Sequence, residues 1–158
     1  TELVRGLGKG QISRPNGIGL SPDEKTLYVV DNHPIIPVRK LWAFQLDGDG
    51  NIAGDGKELY DWGTGRGGDG LCIDQQGNVY VTGGADRKYP NQDTSNPAGV
   101  YVISSEGELR GIIKVPEDMV TNCCFGGSDL KTLYITAGKT IWQVRTKVAG
   151  SVLWPKAE

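Results

Sequence analysis

An all-β fold is what the sequence predicts, and three observations carry that expectation. The 158-residue chain holds 24 glycines and many short runs rich in Val, Ile and Tyr, a composition of short strands separated by turns. No stretch keeps a helical hydrophobic period over three turns. Three segments share one layout: NGIGLSPDEKTLYVVD (16–31), DGLCIDQQGNVYVTGG (69–84) and TNCCFGGSDLKTLYITAG (121–138). Each reads as an apolar strand, a polar turn and a second strand of the form [LV]Y[VI].

The repeat sets the architecture. Leu20, Ile73 and Phe125 recur at steps of 53 and 52, and Tyr28, Tyr80 and Tyr134 at 52 and 54. A third strand follows each pair, as KLWAFQLD (40–47), GVYVISSE (99–106) and TIWQVRTK (140–147), and a fourth follows twice, as KELYDWG (57–63) and ELRGIIKV (108–115). Four antiparallel strands at a period near 53 residues fit β-propeller blades. The expected blades are about 14–63, 67–115 and 119–148, in one partial domain over 1–158. The last lacks its outer strand, and TELVRGL (1–7) reads as the outer strand of a missing or partner blade.

Three blades cannot close a ring, and open blades expose sheet edges and apolar faces. The expectation is therefore a piece of a protein about twice as long, or failing that a homodimer. TELVRGLGKG lacks Met and a signal pattern and reads as the middle of something, which leaves the compartment unknown.

In such a blade the start of the inner strand and the link from second to third strand lie at one end. Inner strands surround the central channel, so Asn16, Asp69 and Thr121 are expected at its mouth, one per blade. Hard oxygen ligands from separate strands suit Ca²⁺, Mg²⁺ or Mn²⁺, with Zn²⁺ a further possibility. The competing reading is that Asn-Gly and Asp-Gly are favoured turn pairs. The links 32–39 and 84–98 are long, as rim loops that wall a site often are. His33, the only histidine, lies in the first and is expected as a loop residue facing substrate. Arg66, Asp86, Arg87 and Lys88 lie near the same rim, where they contact a polar substrate or stay solvated.

Other features exclude more than they assign. A net charge of -2 and a pI near 5.4 argue against nucleic acid and anionic membrane as partners. No apolar run approaches the roughly 20 residues of a membrane span, so a soluble protein is expected. Cys72, Cys123 and Cys124 have neither disulfide nor CxxC spacing and read as buried small hydrophobes. DGDGNIAGDGKE (47–58) imitates an EF-hand loop, but Ile52 stands where the sharp turn needs Gly, so a polar hairpin explains it better. Trp42, Tyr101 and Trp142 recur on the third strands and read as packing between blades.

At RPNGIGLSPDEKTLYVVD (14–31), GGDGLCIDQQGNVYVT (67–82) and VTNCCFGGSDLKTLYITAG (120–138) the chain resembles the gluconolactonase-like family, which includes regucalcin and the luciferin-regenerating enzyme. The resemblance implies the C-terminal three blades of a six-bladed propeller with a divalent metal in its channel, Ca²⁺ first among the candidates. It implies metal ligation by Asn16 and Asp69, acid/base work by Asp69, and a lactone substrate. Thr121 matches a further family motif without an assigned role, and the ligands of the first half have no counterpart here. The expected function is a metal-dependent hydrolase opening a sugar-derived lactone. The alternative is a non-catalytic propeller module that binds a ligand or partner.

Overall fold

Alternating β-branched and aromatic residues set the strands, and Asp, Ser and Gly set the turns between them. The structure, a computed structural model, describes residues 12–153. Among these are eleven strands and no helix: β1 (Pro15–Leu20), β2 (Thr26–Asn32), β3 (Arg39–Gln45), β4 (Lys57–Asp61), β5 (Gly68–Ile73), β6 (Val79–Gly83), β7 (Gly99–Ile103), β8 (Leu109–Lys114), β9 (Val120–Gly126), β10 (Thr132–Ala137) and β11 (Thr140–Arg145). The proposed strand at 1–7 lies outside the described residues. Three antiparallel meanders result, β1-β2-β3-β4, β5-β6-β7-β8 and β9-β10-β11. Strand β5 packs against β1 and β2 on one side, and β9 packs against β5 and β6 on the other.

The middle sheet is covered on both faces, and its sequence shows why. β6 reads VYVTG and is buried at every position. Successive side chains point to opposite faces. Val79 and Val81 join Tyr28, Val30, Leu41 and Tyr101 in the core shared with the first sheet. Tyr80 joins Val100, Val120, Leu133 and Ile135 in the core shared with the third. Burial of each such Val or Ile stabilises by about 1.5–3 kcal/mol. Tyr101 stands edge-on to Trp62 in the first core, Trp142 packs on the second, and Trp42 packs on the outer face of the first sheet.

The third sheet is covered on one face only among the described residues. β10 alternates buried with exposed positions, and Tyr134 and Ile141 are 38% and 74% exposed. The same alternation corrects the expectation for the cysteines. Cys123 is buried and Cys72 half-buried, with their sulfurs 3.4 Å apart as free thiols, but Cys124 is exposed. Neighbours on one strand face opposite ways, so Cys123 inside forces Cys124 outside. The hydrogen bond with Cys123, together with burial, pushes the Cys72 thiol well up.

Turns are closed by side chains of their own residues. Buried Asp74 accepts hydrogen bonds from the amides of Gln76 and Asn78 and from Asn78 Nδ2, with Gly77 at φ +80. In the 47–58 loop Asp47 Oδ1 accepts from the amides of Asp49 and Asn51, and Glu58 pairs with Lys40 across β3 and β4. That loop is a hairpin, and its Asp47 and Glu58 carboxylates serve the hairpin. No helix among the described residues is long and apolar enough to cross a membrane.

Candidate functional site at the inner-strand rim

Each inner strand is interrupted by a β-bulge, and each bulge falls on a residue singled out by the repeat. Pairing of β1 with β2 passes from Pro15↔Asp31 to Ile18↔Val29, so Asn16 and Gly17 together oppose Val30. Pairing of β5 with β6 passes from Gly68↔Gly83 to Leu71↔Val81, so Asp69 and Gly70 oppose Thr82. Between β9 and β10 the extra residue is Thr121. A bulge bends the strand and re-aims a side chain. Thr82 steadies the second bulge, its hydroxyl donating to the Gly70 carbonyl at 3.0 Å.

The three re-aimed residues line one cavity of about 350 Å³, together with Gly17, Gly70 and Asn122. Asn16 Nδ2 donates to Asp69 Oδ1 at 2.7 Å. Thr121 lies on the same wall, its hydroxyl 3.1 Å from that of Thr136. The turn-pair reading of Asn-Gly and Asp-Gly is thereby set aside, because both dipeptides lie inside strands and neither glycine has a positive φ. What the glycines permit is close approach. A Cβ on Gly17 would come within 2.4 Å of the Asp69 carbonyl oxygen, and one on Gly70 within 2.3 Å of Asn122 Oδ1.

Arg66 is neither a solvated loop charge nor a wall of the cavity. Its side chain is 7% exposed and reaches Asp69 Oδ2 at 2.8 Å through Nη2. Nη1 donates to the carbonyls of Gly84 and Val120, at 3.2 and 3.1 Å. One guanidinium therefore ties the start of β5, the end of β6 and the start of β9 behind the carboxylate. A buried cation is tolerated only when its donors are satisfied, and here the carboxylate and two carbonyls do so. Asp69 consequently has one oxygen fixed from behind and the other turned to Asn16 at the cavity.

His33 is occupied within its own loop. Its Nδ1 accepts from the amides of Ile35 and Ile36 at 3.2 and 3.1 Å, and it does not line the cavity. Asp86 closes the 84–98 loop by accepting from the Ala98 amide, and Arg87 pairs with buried Asp118 at 2.6 Å. Asn122 and Thr82 escaped sequence reading because nothing in a single sequence marks where a strand bulges. The repeat alignment offered a usable signal for Asn122, which directly follows Thr121.

The converging donors are all oxygens: the Asp69 carboxylate, the Asn16 amide oxygen, which accepts no hydrogen bond among the described residues, and the Thr121 hydroxyl. Such a set fits a hard divalent cation in kind. No group of three or more His, Cys, Asp or Glu gathers among the described residues. The remaining positions of a six- to eight-coordinate Ca²⁺ would fall to water, substrate or other parts of the protein.

Comparison with known proteins identifies the family and the fold. The family described as the SMP-30/Gluconolactonase/LRE-like region matches residues 7–139. A gluconolactonase of Zymomonas mobilis is 36% identical over 146 residues, which cover 88% of this chain and 36% of that protein. The structure of a gluconolactonase from Xanthomonas campestris superposes with a TM-score of 0.65 at 29% identity, covering 85% of this chain and 38% of that one. A calcium-binding protein, regucalcin, from Agrobacterium tumefaciens gives 0.65 at 26% identity, over 82% and 39%. The chain thus spans less than half the length of these relatives. It belongs to the SMP-30/gluconolactonase/LRE-like family, and its sheets are blades of part of a β-propeller.

Proposed function

We propose that the protein carrying this chain is a lactonase-type hydrolase of the gluconolactonase kind, using a divalent metal held in part by Asn16 and Asp69. The observation that carries the reading is the meeting of these two residues, from different sheets, at 2.7 Å on the wall of one cavity. The relatives described as gluconolactonases support a sugar-derived lactone as substrate. Calcium is the first ion to test, because the donors are oxygens and one relative is described as calcium-binding.

A divalent cation, when bound, supplies Lewis acidity toward an ester carbonyl. The residues of this chain do the rest. Asp69 takes a proton from water as its oxygen bonds to the carbonyl carbon, then returns it to the ring oxygen as the carbon–oxygen bond breaks. Arg66 holds Oδ2 still, so Oδ1 keeps one orientation toward the reacting water. Asn16 offers its amide oxygen to the cation and its Nδ2 to Asp69.

The test is hydrolysis of a panel of sugar lactones by the intact protein, before and after chelation and after return of Ca²⁺, Zn²⁺, Mg²⁺ or Mn²⁺. Metal-dependent ring opening is the expected result. Absence of hydrolysis with every ion, alongside measurable ligand binding, would favour the non-catalytic module instead.

A further inference from the structure

A second polar cleft of about 290 Å³ adjoins the Asp69 cavity, lined by Arg14, Pro15, Asn16, Asn32, Pro34 and Gln92. Asn16 lines both spaces, so a ligand with its reacting end at Asp69 has its other end beside this cleft. The lining holds one cation, three amides and no anion.

What distinguishes Arg14, Asn32 and Gln92 is that their backbones are pinned while their side-chain tips are unused. Asp31, fully buried, accepts from Ser13 N at 2.7 Å, Ser13 Oγ at 2.9 Å and Arg14 N at 2.6 Å. The Asn32 amide donates to the Arg14 carbonyl at 3.1 Å. Gln92 is carried by the 84–98 loop, which Arg39 holds from below. Arg39 is 1% exposed and donates to the carbonyls of Gly63, Thr64 and Asn91. Thr64 returns a second tie, its carbonyl accepting from the Asp93 amide and its hydroxyl donating to the Asp93 carboxylate.

Against that fixed frame, the side chains of Arg14, Asn32 and Gln92 make no hydrogen bond or ion pair among the described residues. Asn32 Oδ1 is buried without a donor, 3.1 Å from where a Cβ on Gly67 would stand, which leaves the Asn32 Nδ2 for the cleft. Polar side chains that hold a fold are satisfied, as Asp31 and Asp93 are; unsatisfied ones gathered at one cleft are available to a ligand. Amides pair with hydroxyl groups, and a guanidinium with no acidic neighbour in the cleft pairs with an oxyanion.

We propose that this cleft is a specificity subsite for a hydroxylated ring carrying a tetrahedral oxyanion, phosphate or sulfonate, at the end remote from its reacting carbonyl. Arg14 pairs with the oxyanion, and Asn32 and Gln92 bond the hydroxyls. The inference deepens the lactonase reading and rests on it for the reacting end only.

The experiment compares the intact protein with Arg14→Gln and Gln92→Ala on three matched aldonolactones: unsubstituted, phosphorylated and sulfonated at the terminal carbon. The expected result is preference for one or both charged lactones, and loss of about 30-fold in their kcat/KM in Arg14→Gln, the size of one charged hydrogen bond. The unsubstituted lactone should change less than about threefold, and Gln92→Ala should weaken all three. Phosphate against sulfonate is read from which charged lactone loses more. An unchanged ratio of charged to uncharged rates in Arg14→Gln overturns the proposal.

Should no lactone be hydrolysed, the lactonase reading fails by itself, and calorimetric titration with the ring-opened phosphorylated and sulfonated acids decides the cleft. Binding lost in Arg14→Gln supports the subsite. No binding by the unaltered protein, or equal binding by both, overturns it.

Discussion

Asn16 and Asp69 stand 53 positions apart in the chain, and their side chains meet at 2.7 Å where two inner strands bulge side by side. The bond joins two sheets at the rim and sets both residues on the wall of the same cavity. Its geometry depends on the glycines that follow each residue and on the arginine behind the acid.

Replacing Gly70 with Ala tests the close approach. The new Cβ would meet Asn122 Oδ1 at 2.3 Å and the Thr121 carbonyl at 2.8 Å, so β5 and β9 must separate. Overpacking of this kind costs about 1–3 kcal/mol. The expected result is a lower urea midpoint together with weakened metal binding, whereas Gly48→Ala, with open space around it, should leave both unchanged.

Removal of the Arg66 guanidinium should be more damaging than its loop position suggests. Arg66→Met strands the Asp69 carboxylate and the carbonyls of Gly84 and Val120. Breaking a buried pair from one side costs about 3–5 kcal/mol, less here because Asp69 is 23% exposed. Arg66→Lys keeps the charge but cannot reach three acceptors as a planar fork does. Equilibrium unfolding should rank the unaltered protein above Lys and Lys above Met; equal midpoints would contradict the role of the fork.

Acid should loosen the 84–98 loop before it unfolds the sheets. Hydrogen bonds from the Ser95 hydroxyl, the Thr64 hydroxyl and the Ser95 amide hold the Asp93 carboxyl down to about 2, from 3.8 for a free group. The depressed value means that the unfolded loop binds the proton more readily. The contribution is whole above about 4 and is lost as pH falls from 3.8 toward 2. Amide exchange at Ser95 should accelerate across that window in the unaltered protein, and Asp93→Ala should remove the pH-dependent part.

Much of the fold was legible because it repeats. The LYV, VYV and LYI strands fell at equivalent places, and in the structure the neighbours Tyr80 and Val81 enter different cores. The meeting of Asp69 with Asn16 at one cavity was legible for the same reason. Alternation applied to Cys123 and Cys124 would also have exposed one of the two, and reading both as buried overlooked it. Arg66 was less accessible. A charge among glycines looks solvated until the ends of β6 and β9 close over it, and those contacts join residues 18 and 54 positions apart. His33 was misleading in the opposite sense, since its Nδ1 is used by amides two and three residues away. The bulges themselves left no mark, because Asn-Gly and Asp-Gly serve turns and close strand approaches equally well.

The most direct measurement is the rate of sugar-lactone hydrolysis by the intact protein and its Asp69→Asn variant, each saturated with the activating ion and shown folded by near-ultraviolet dichroism. Loss of an acid/base group at the reacting centre should lower kcat by about 100-fold or more, with weaker retention of the ion. Hydrolysis by Asp69→Asn within twofold of the unaltered protein would contradict the assignment.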